Sequence, residues 1–264
     1  MSHKPAAQQD YRFDEAVSQN SSRKRLRALF SEFFAEVLGT FVFVTFGSGA
    51  VMQTHLYGEA DVLVSKVTVA LAIGMGLAMG ICIAGQISGG HVNPTVTVSL
   101  AVFRGFPWRK VPVYFMAQTI GSLVSAAAVA LFNAPAISLL EPSSRMPLFA
   151  STSPPENTYV ITFANIGFGT AFLMIGVMSL SDPRNKCPPW FFPFGILVLQ
   201  FLICLILPGY PLNPAWDFGY RLFSMPISFS SEFDFSYFLI PMTAPIIGGL
   251  FGCGIYDLLL PIIE

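Results

Sequence analysis

Asn93-Pro94-Thr95 and Asn213-Pro214-Ala215 decide how this chain folds. Each triplet places an amide and a proline inside an apolar run. Asn is a strong N-cap and Pro suits the first helical position, so each reads as the start of a short helix. Val67 to Phe103 carries no Asp, Glu, Lys or Arg over 37 residues, and Cys187 to Trp216 none over 30. The first run is too long for one span and too short for two with a connecting loop. A full helix followed by a re-entrant half-helix beginning at Asn93 accounts for it, and Asn213 begins the second half-helix in the same way. Helix breaks at membrane depth are tolerated only where the backbone is buried in protein or lines a cavity. Two such breaks predict two inverted halves meeting around a central path.

The composition agrees. The 264 residues are 53% hydrophobic and 11% charged, with a mean hydropathy of +0.63, which is the signature of a polytopic membrane protein. A net charge of -1 lacks the basic face that nucleic-acid binding requires. Cys82, Cys187, Cys204 and Cys253 have no metal or redox spacing and read as packing residues, so no cofactor or metal is expected. Residues 1–29 are polar, carry Arg23, Lys24, Arg25 and Arg27, and read as a disordered tail ending in a basic membrane collar. No h-region of a cleavable signal peptide precedes the first span.

Six full spans are expected near 32–53, 64–84, 111–132, 159–180, 191–208 and 237–259. With the two half-helices they form a channel domain over 30–264, an all-α bundle. Its halves are about 30–133 and 159–260, and a Pro- and Ser-rich loop of about 134–158 joins them. One side of the predicted topology collects 11 of the 14 Lys and Arg residues, which places both termini in the cytoplasm. An internal repeat supports the inversion. Gly39-Thr40 recurs as Gly169-Thr170, and Ala117-x-x-Ile120-Gly121-x-Leu123 as Ala244-x-x-Ile247-Gly248-x-Leu250.

Few residues in the spans carry chemistry. Gly76 with Gly80, and Gly248 with Gly252, have the spacing of close helix packing. Glu36 is an intramembrane carboxylate without a charged partner in the spans, so it is read as accepting backbone N–H groups from a re-entrant loop rather than as a proton relay. His91, with no acid beside it, is read as organising the same loop. Two converging half-helix N-termini would oppose cations, while the amides of Asn93 and Asn213 would donate to solute oxygens. No nucleophile–base pair is present, which argues against an enzyme.

The stretches Ser88–Thr97 and Gly209–Leu222 resemble the paired pore loops of the aquaporin (major intrinsic protein) family over about residues 30–260. Asp217, Arg221 and Asp182-Pro183-Arg184-Asn185 resemble the aquaglyceroporin subgroup. The resemblance implies a passive homotetrameric channel for glycerol and similar neutral solutes with some water, one pore per subunit, in the plasma membrane. It makes Ile73, Phe201, Tyr210 and Trp216 the outer constriction, and His91, Pro94, Thr95, Pro214 and Ala215 parts of the loops. Three residues depart from the family pattern. Thr95 replaces an alanine, Ile166 stands where the second half would repeat Glu36, and Trp216 replaces the constriction arginine. Trp216 leaves two arrangements open. With Phe201 it closes the path, giving a poorly conducting protein with a regulatory, sensing or adhesion role. Turned aside, it leaves an apolar slot for carbon-rich polyols.

Overall fold

The computed structural model describes residues 7–57, 62–140, 158–207, 209, 211–225 and 235–261, with side chains from Arg23 onward apart from residues 235 and 236. Helix α1 runs Ala7–Tyr57, α2 Val62–Ser88, α3 Pro94–Phe103, α4 Val111–Phe132, α5 Ala134–Ser138, α6 Tyr159–Ser181, α7 Phe191–Ile206, α8 Pro214–Ser224 and α9 Phe235–Leu259. Helices α3 and α8 are the two half-helices, and no strand occurs among the described residues. The bundle is all-α, as its sequence predicts.

Five helices are long and apolar enough to cross a membrane. The remaining full-length position, α7, has only 16 helical residues where 191–208 is expected to span, because its C-terminal end opens toward the second loop at Leu207. Two expectations are corrected. The tail read as disordered over 1–29 is helical from Ala7, continuous with the first span. The connector begins with the short helix α5, seeded by Pro135 in its first turn, while 141–157 lies outside the described residues.

Burial is inverted relative to a water-soluble protein. Phe34, Phe46, Met79, Phe168, Phe172 and Phe251 are exposed, whereas Glu36, Thr40, Gln118, Ser122, Ser125 and Thr170 are fully buried. Apolar side chains outside and polar groups within suit hydrocarbon as the surrounding solvent.

Small residues set the helix spacing. A Cβ on Gly80 would stand 2.5 Å from the Gly39 carbonyl oxygen, and one on Gly76 would stand 2.8 Å from that of Phe43. In the other half, Gly248 and Gly252 of α9 press on the carbonyl oxygens of Gly167 and Ala171 in the same manner. The repeat is visible contact by contact. Gly121 of α4 rests on Val37 and Thr40 of α1, and Gly248 of α9 rests on Gly167 and Thr170 of α6. Each half-helix crosses into the opposite half. Gly219 of α8 packs on Ser122 of α4, and Thr95 with Ser99 of α3 packs on Gly249 of α9.

Candidate functional site

The two half-helices meet through their caps. The Asn93 side chain accepts from the Thr95 N–H at 2.8 Å, and that of Asn213 accepts from the Ala215 N–H at 3.0 Å, which caps α3 and α8. Pro94 and Pro214 occupy the next position, where no N–H is required. The two amide nitrogens then cross between the halves. Asn93 Nδ2 donates to the Leu212 carbonyl at 3.1 Å, and Asn213 Nδ2 donates to the Val92 carbonyl at 2.8 Å. An amide nitrogen carries two protons, so each retains one beyond this cross-link.

The first loop hangs on Glu36. One carboxylate oxygen accepts from the His91 N–H at 2.9 Å and from Ser88 Oγ at 2.6 Å. The other accepts from the Val92 N–H at 2.8 Å and from Gln118 Nε2 at 2.7 Å. These bonds hold Val92 at φ 43°, a costly conformation for a β-branched residue, and so aim its carbonyl at Asn213. The Thr97 hydroxyl donates to the Asn93 carbonyl at 3.1 Å. Its proton being committed there, His91 Nδ1 is the donor in their 3.1 Å contact. His91 also packs between Phe106 and Tyr114, at ring-centroid distances of 4.7 and 5.0 Å.

The position in α6 equivalent to Glu36 is Ile166, fully buried. Packing holds the second loop there, because a Cβ on Gly169 would stand 2.8 Å from a Leu212 methyl group. Asp217 and Arg221 lie one turn apart on α8 and form an ion pair at 2.5 Å, with side chains 2% and 6% exposed. The guanidinium of Arg221 sits 5.6 Å from the Tyr237 ring and 5.8 Å from that of Phe238.

A cavity of about 640 Å³ passes this junction, lined by both asparagines, by Ser65 and Lys66 at one end and by Ser181 and Phe192 at the other. Ile73, Trp216 and His91 line it. The Trp216 indole leans into a notch in α1, where a Cβ on Gly47 would stand 2.6 Å from its Cη2. It meets Phe43 edge-on at 5.3 Å. Phe201 is corrected, since it does not line the cavity. The wall on α7 is the row Phe192, Ile196, Gln200 and Cys204, and one residue further turns a helical side chain by about 100°. Tyr210 lies outside the described residues. Among the described residues no cluster of His, Cys, Asp or Glu could hold a metal ion.

Sequence reasoning missed Gly47, Gln118, Ser48 and Tyr220. Gln118, a lone amide in the apolar run of α4, carried a readable signal. Gly47 becomes meaningful only once Trp216 is seen to rest on it.

The profile of the family described as major intrinsic protein matches residues 22–256. Aquaglyceroporin-2 of Rhizophagus irregularis is 38% identical over 268 residues, covering 94% of this chain and 82% of that protein. Aquaporin-6 of Laccaria bicolor is 35% identical over 264 residues, covering 93% and 85%. The X-ray structure of the aquaglyceroporin from Plasmodium falciparum aligns with a TM-score of 0.79 at 27% identity, over 88% of this chain and 98% of that one.

Proposed function

The chain belongs to the major intrinsic protein family, and from that premise we propose that its cavity is a pore for glycerol and related small neutral solutes, with water. It is an integral multi-pass membrane channel, not an enzyme. The observation that carries the solute reading is the reciprocal cross-link of Asn93 and Asn213 at the cavity wall. Each amide keeps a proton for a passing hydroxyl, and two converging half-helix N-termini oppose cations. Fixed donors over an otherwise apolar wall favour a neutral solute bearing both carbon and oxygen.

The closed arrangement requires the Trp216 indole in the path. Contact of the ring with Gly47 and Phe43, and cavity-lining residues on both sides of it, support the open arrangement. A plasma-membrane location, cytoplasmic termini and a homotetramer with one pore per subunit complete the proposal. They rest on the distribution of basic residues and on the family.

The test is stopped-flow light scattering on proteoliposomes under water and glycerol gradients, for the native chain and for Trp216→Arg. Fast glycerol re-swelling by the native protein is expected. A native protein silent to glycerol, with flux restored by the arginine, would make Trp216 a plug and end this reading.

A further inference from the structure

The wall that α7 gives the cavity carries one amide. Gln200 is only 5% exposed and lines the cavity. Its Nε2 donates to Cys204 Sγ at 3.2 Å, one turn further along the helix. Among the described residues no donor reaches its Oε1, and packing does not seal that oxygen as it seals Oε1 of Gln118. The Gln200 carbonyl oxygen therefore opens on the cavity with its lone pairs unspent.

Contacts between helices fix the level at which it opens. A Cβ on Gly47 would stand 2.6 Å from Trp216 Cη2 and 3.3 Å from Ile73 Cγ1, so the indole and Ile73 share one section of the cavity. Gly74 follows Ile73, and a Cβ there would stand 2.7 Å from the Leu197 carbonyl oxygen and 3.5 Å from the Phe201 nitrogen. The turn of α7 that holds Gln200 thus lies against α2 in the same section, between Lys66 and the asparagines. The hydroxyls beside the indole are already engaged. Tyr220 contacts Ser48 and Ser125, Ser48 donates to the Val44 carbonyl at 2.5 Å, and Thr45 donates to Ser125 at 3.1 Å, which fastens α8 to α1 and α4.

The repeat supplies an internal control. The inverted counterpart of α7 is α2, and each gives the cavity a row at four-residue spacing. On α2 the row includes Ile73, Leu77 and Ile81, and on α7 it includes Ile196, Gln200 and Cys204. An aliphatic row suffices to build such a wall, so the scaffold does not require the amide.

We propose that Gln200 is a specificity-determining residue of the pore, whose Oε1 accepts from the O–H or N–H groups of a polyol or a small amide at the level of the Trp216 indole. The assignment deepens the channel reading and rests on it. An arginine at position 216 would add donors to a path whose asparagines already donate, whereas Gln200 adds the missing acceptor. A solute leaving water gives up acceptors for its own protons. The Gln200 oxygen replaces one of them while Ile73 and the indole cover carbon, and the solute then meets the donors of Asn93 and Asn213.

The experiment uses the full chain in proteoliposomes, with glycerol, urea and water gradients, for native protein, Gln200→Leu, Gln200→Met and, as a control on the same row, Ile196→Leu. Gln200→Leu copies the aliphatic row of α2, and Gln200→Met keeps the length of the amide without its oxygen. Loss of one hydrogen bond predicts glycerol and urea fluxes about fivefold lower in both Gln200 variants. Water flux should stay within about twofold of native, because neighbouring waters supply the acceptor that is lost. Ile196→Leu changes the shape of the wall without a polar group and leaves all fluxes at the native level. Retained water flux certifies a folded pore, and Gln200→Met decides the matter if Gln200→Leu does not fold. Native glycerol and urea fluxes in the folded Gln200 variants would overturn the assignment while leaving the channel intact. An equal loss of water flux, or an equal loss in Ile196→Leu, would overturn it too. A native protein that passes no glycerol would instead bring down the channel reading itself, and the role of Gln200 with it.

Discussion

The two halves of this bundle repeat each other in backbone and diverge in what fills it. In the first, a carboxylate on α1 collects two backbone N–H groups, a hydroxyl and an amide, and so holds the loop ahead of Asn93. In the second, the same helical position is Ile166, and Leu212 packs into the space left at Gly169. Along the cavity the contrast reverses. The second half-helix presents Trp216 and Tyr220, with Gly47 and Ser48 of α1 beside them. The corresponding positions hold Val96, Leu100, Val177 and Met178, of which the first three line the cavity. The loop with polar support lies beside an aliphatic wall, and the loop with apolar packing beside an amphipathic one. Inverted symmetry therefore fixes where the half-helices meet, and leaves each side of the meeting point free to take its own chemistry.

The largest expected effect tests the asymmetry of support. Glu36→Leu strands four buried donors, each costing on the order of 1–3 kcal/mol, and should destabilise the fold by about 4 kcal/mol or more. Ile166→Val, which removes one methylene, should cost about 1 kcal/mol. Thermal unfolding of the two variants in detergent reads the difference directly. Equal losses would mean that the halves are held alike after all. Glu36→Gln keeps the size but presents an N–H₂ to the loop in place of one acceptor oxygen, and is expected to lower folded yield first. Normal yield with lost permeability would give the carboxylate a direct part in transport.

The next effect probes the junction that the halves share. Asn213→Asp keeps an acceptor for the Ala215 N–H but loses the donor to Val92, and sets a negative charge between two helix N-termini. Glycerol flux should fall roughly tenfold or more, with cation leak appearing, because a charge at that depth replaces the donor that selects a neutral solute. Unchanged flux would count against the asparagines as the selecting pair.

Much of this was legible from the chain alone, and the exceptions have physical causes. Asn93 and Asn213 announce themselves because an N-cap followed by proline inside an uncharged run has few other meanings. Glu36 stands out because a lone carboxylate in a span needs donors, and the nearest loop supplies them. Phe201 was misplaced because motif spacing gives a position along a helix and not its rotation. The first helix starts earlier than expected because a polar sequence can still be helical when a long span continues it. Tyr220 and Ser48 escaped notice because a hydroxyl chain joining α8, α1 and α4 has no trace in linear spacing.

A smaller effect tests the amphipathic wall. A methyl group at position 47 would stand 2.6 Å from the Trp216 ring, so Gly47→Ala should push the indole toward the path. Glycerol flux is expected to fall about fivefold, the scale of a barrier raised by about 1 kcal/mol. Adding Trp216→Leu should restore flux by removing the ring that the methyl displaces. Failure of that rescue would show that Gly47 serves helix packing alone.

The smallest effect lies where the second half is fastened to the end of α9. Asp182, at the C-terminal end of α6, accepts from the Arg184 side chain at 2.6 Å, from the Arg184 N–H at 2.9 Å and from Tyr256 at 2.8 Å. The Arg184 guanidinium also reaches the carbonyls of Leu260 and Pro261, each at 3.0 Å. The guanidinium, with the backbone N–H and the phenol, holds the Asp182 carboxyl well below the usual carboxylate range. A depressed folded-state value means that the ionised carboxylate stabilises the fold at neutral pH. That contribution is complete above the carboxyl's unfolded-state value and is lost as pH falls below it toward the folded one. Arg104 makes a second fastening to the same helix through Asp257, whose carboxylate lies 2.6 Å away, so release of Asp182 alone leaves α9 attached. Asp182→Asn should therefore lower thermal stability only slightly at pH 7 and flatten its decline in acid. If the native and Asp182→Asn proteins lose stability in parallel below pH 4, the clasp at Asp182 contributes nothing, and the fastening belongs to Arg104 and Asp257.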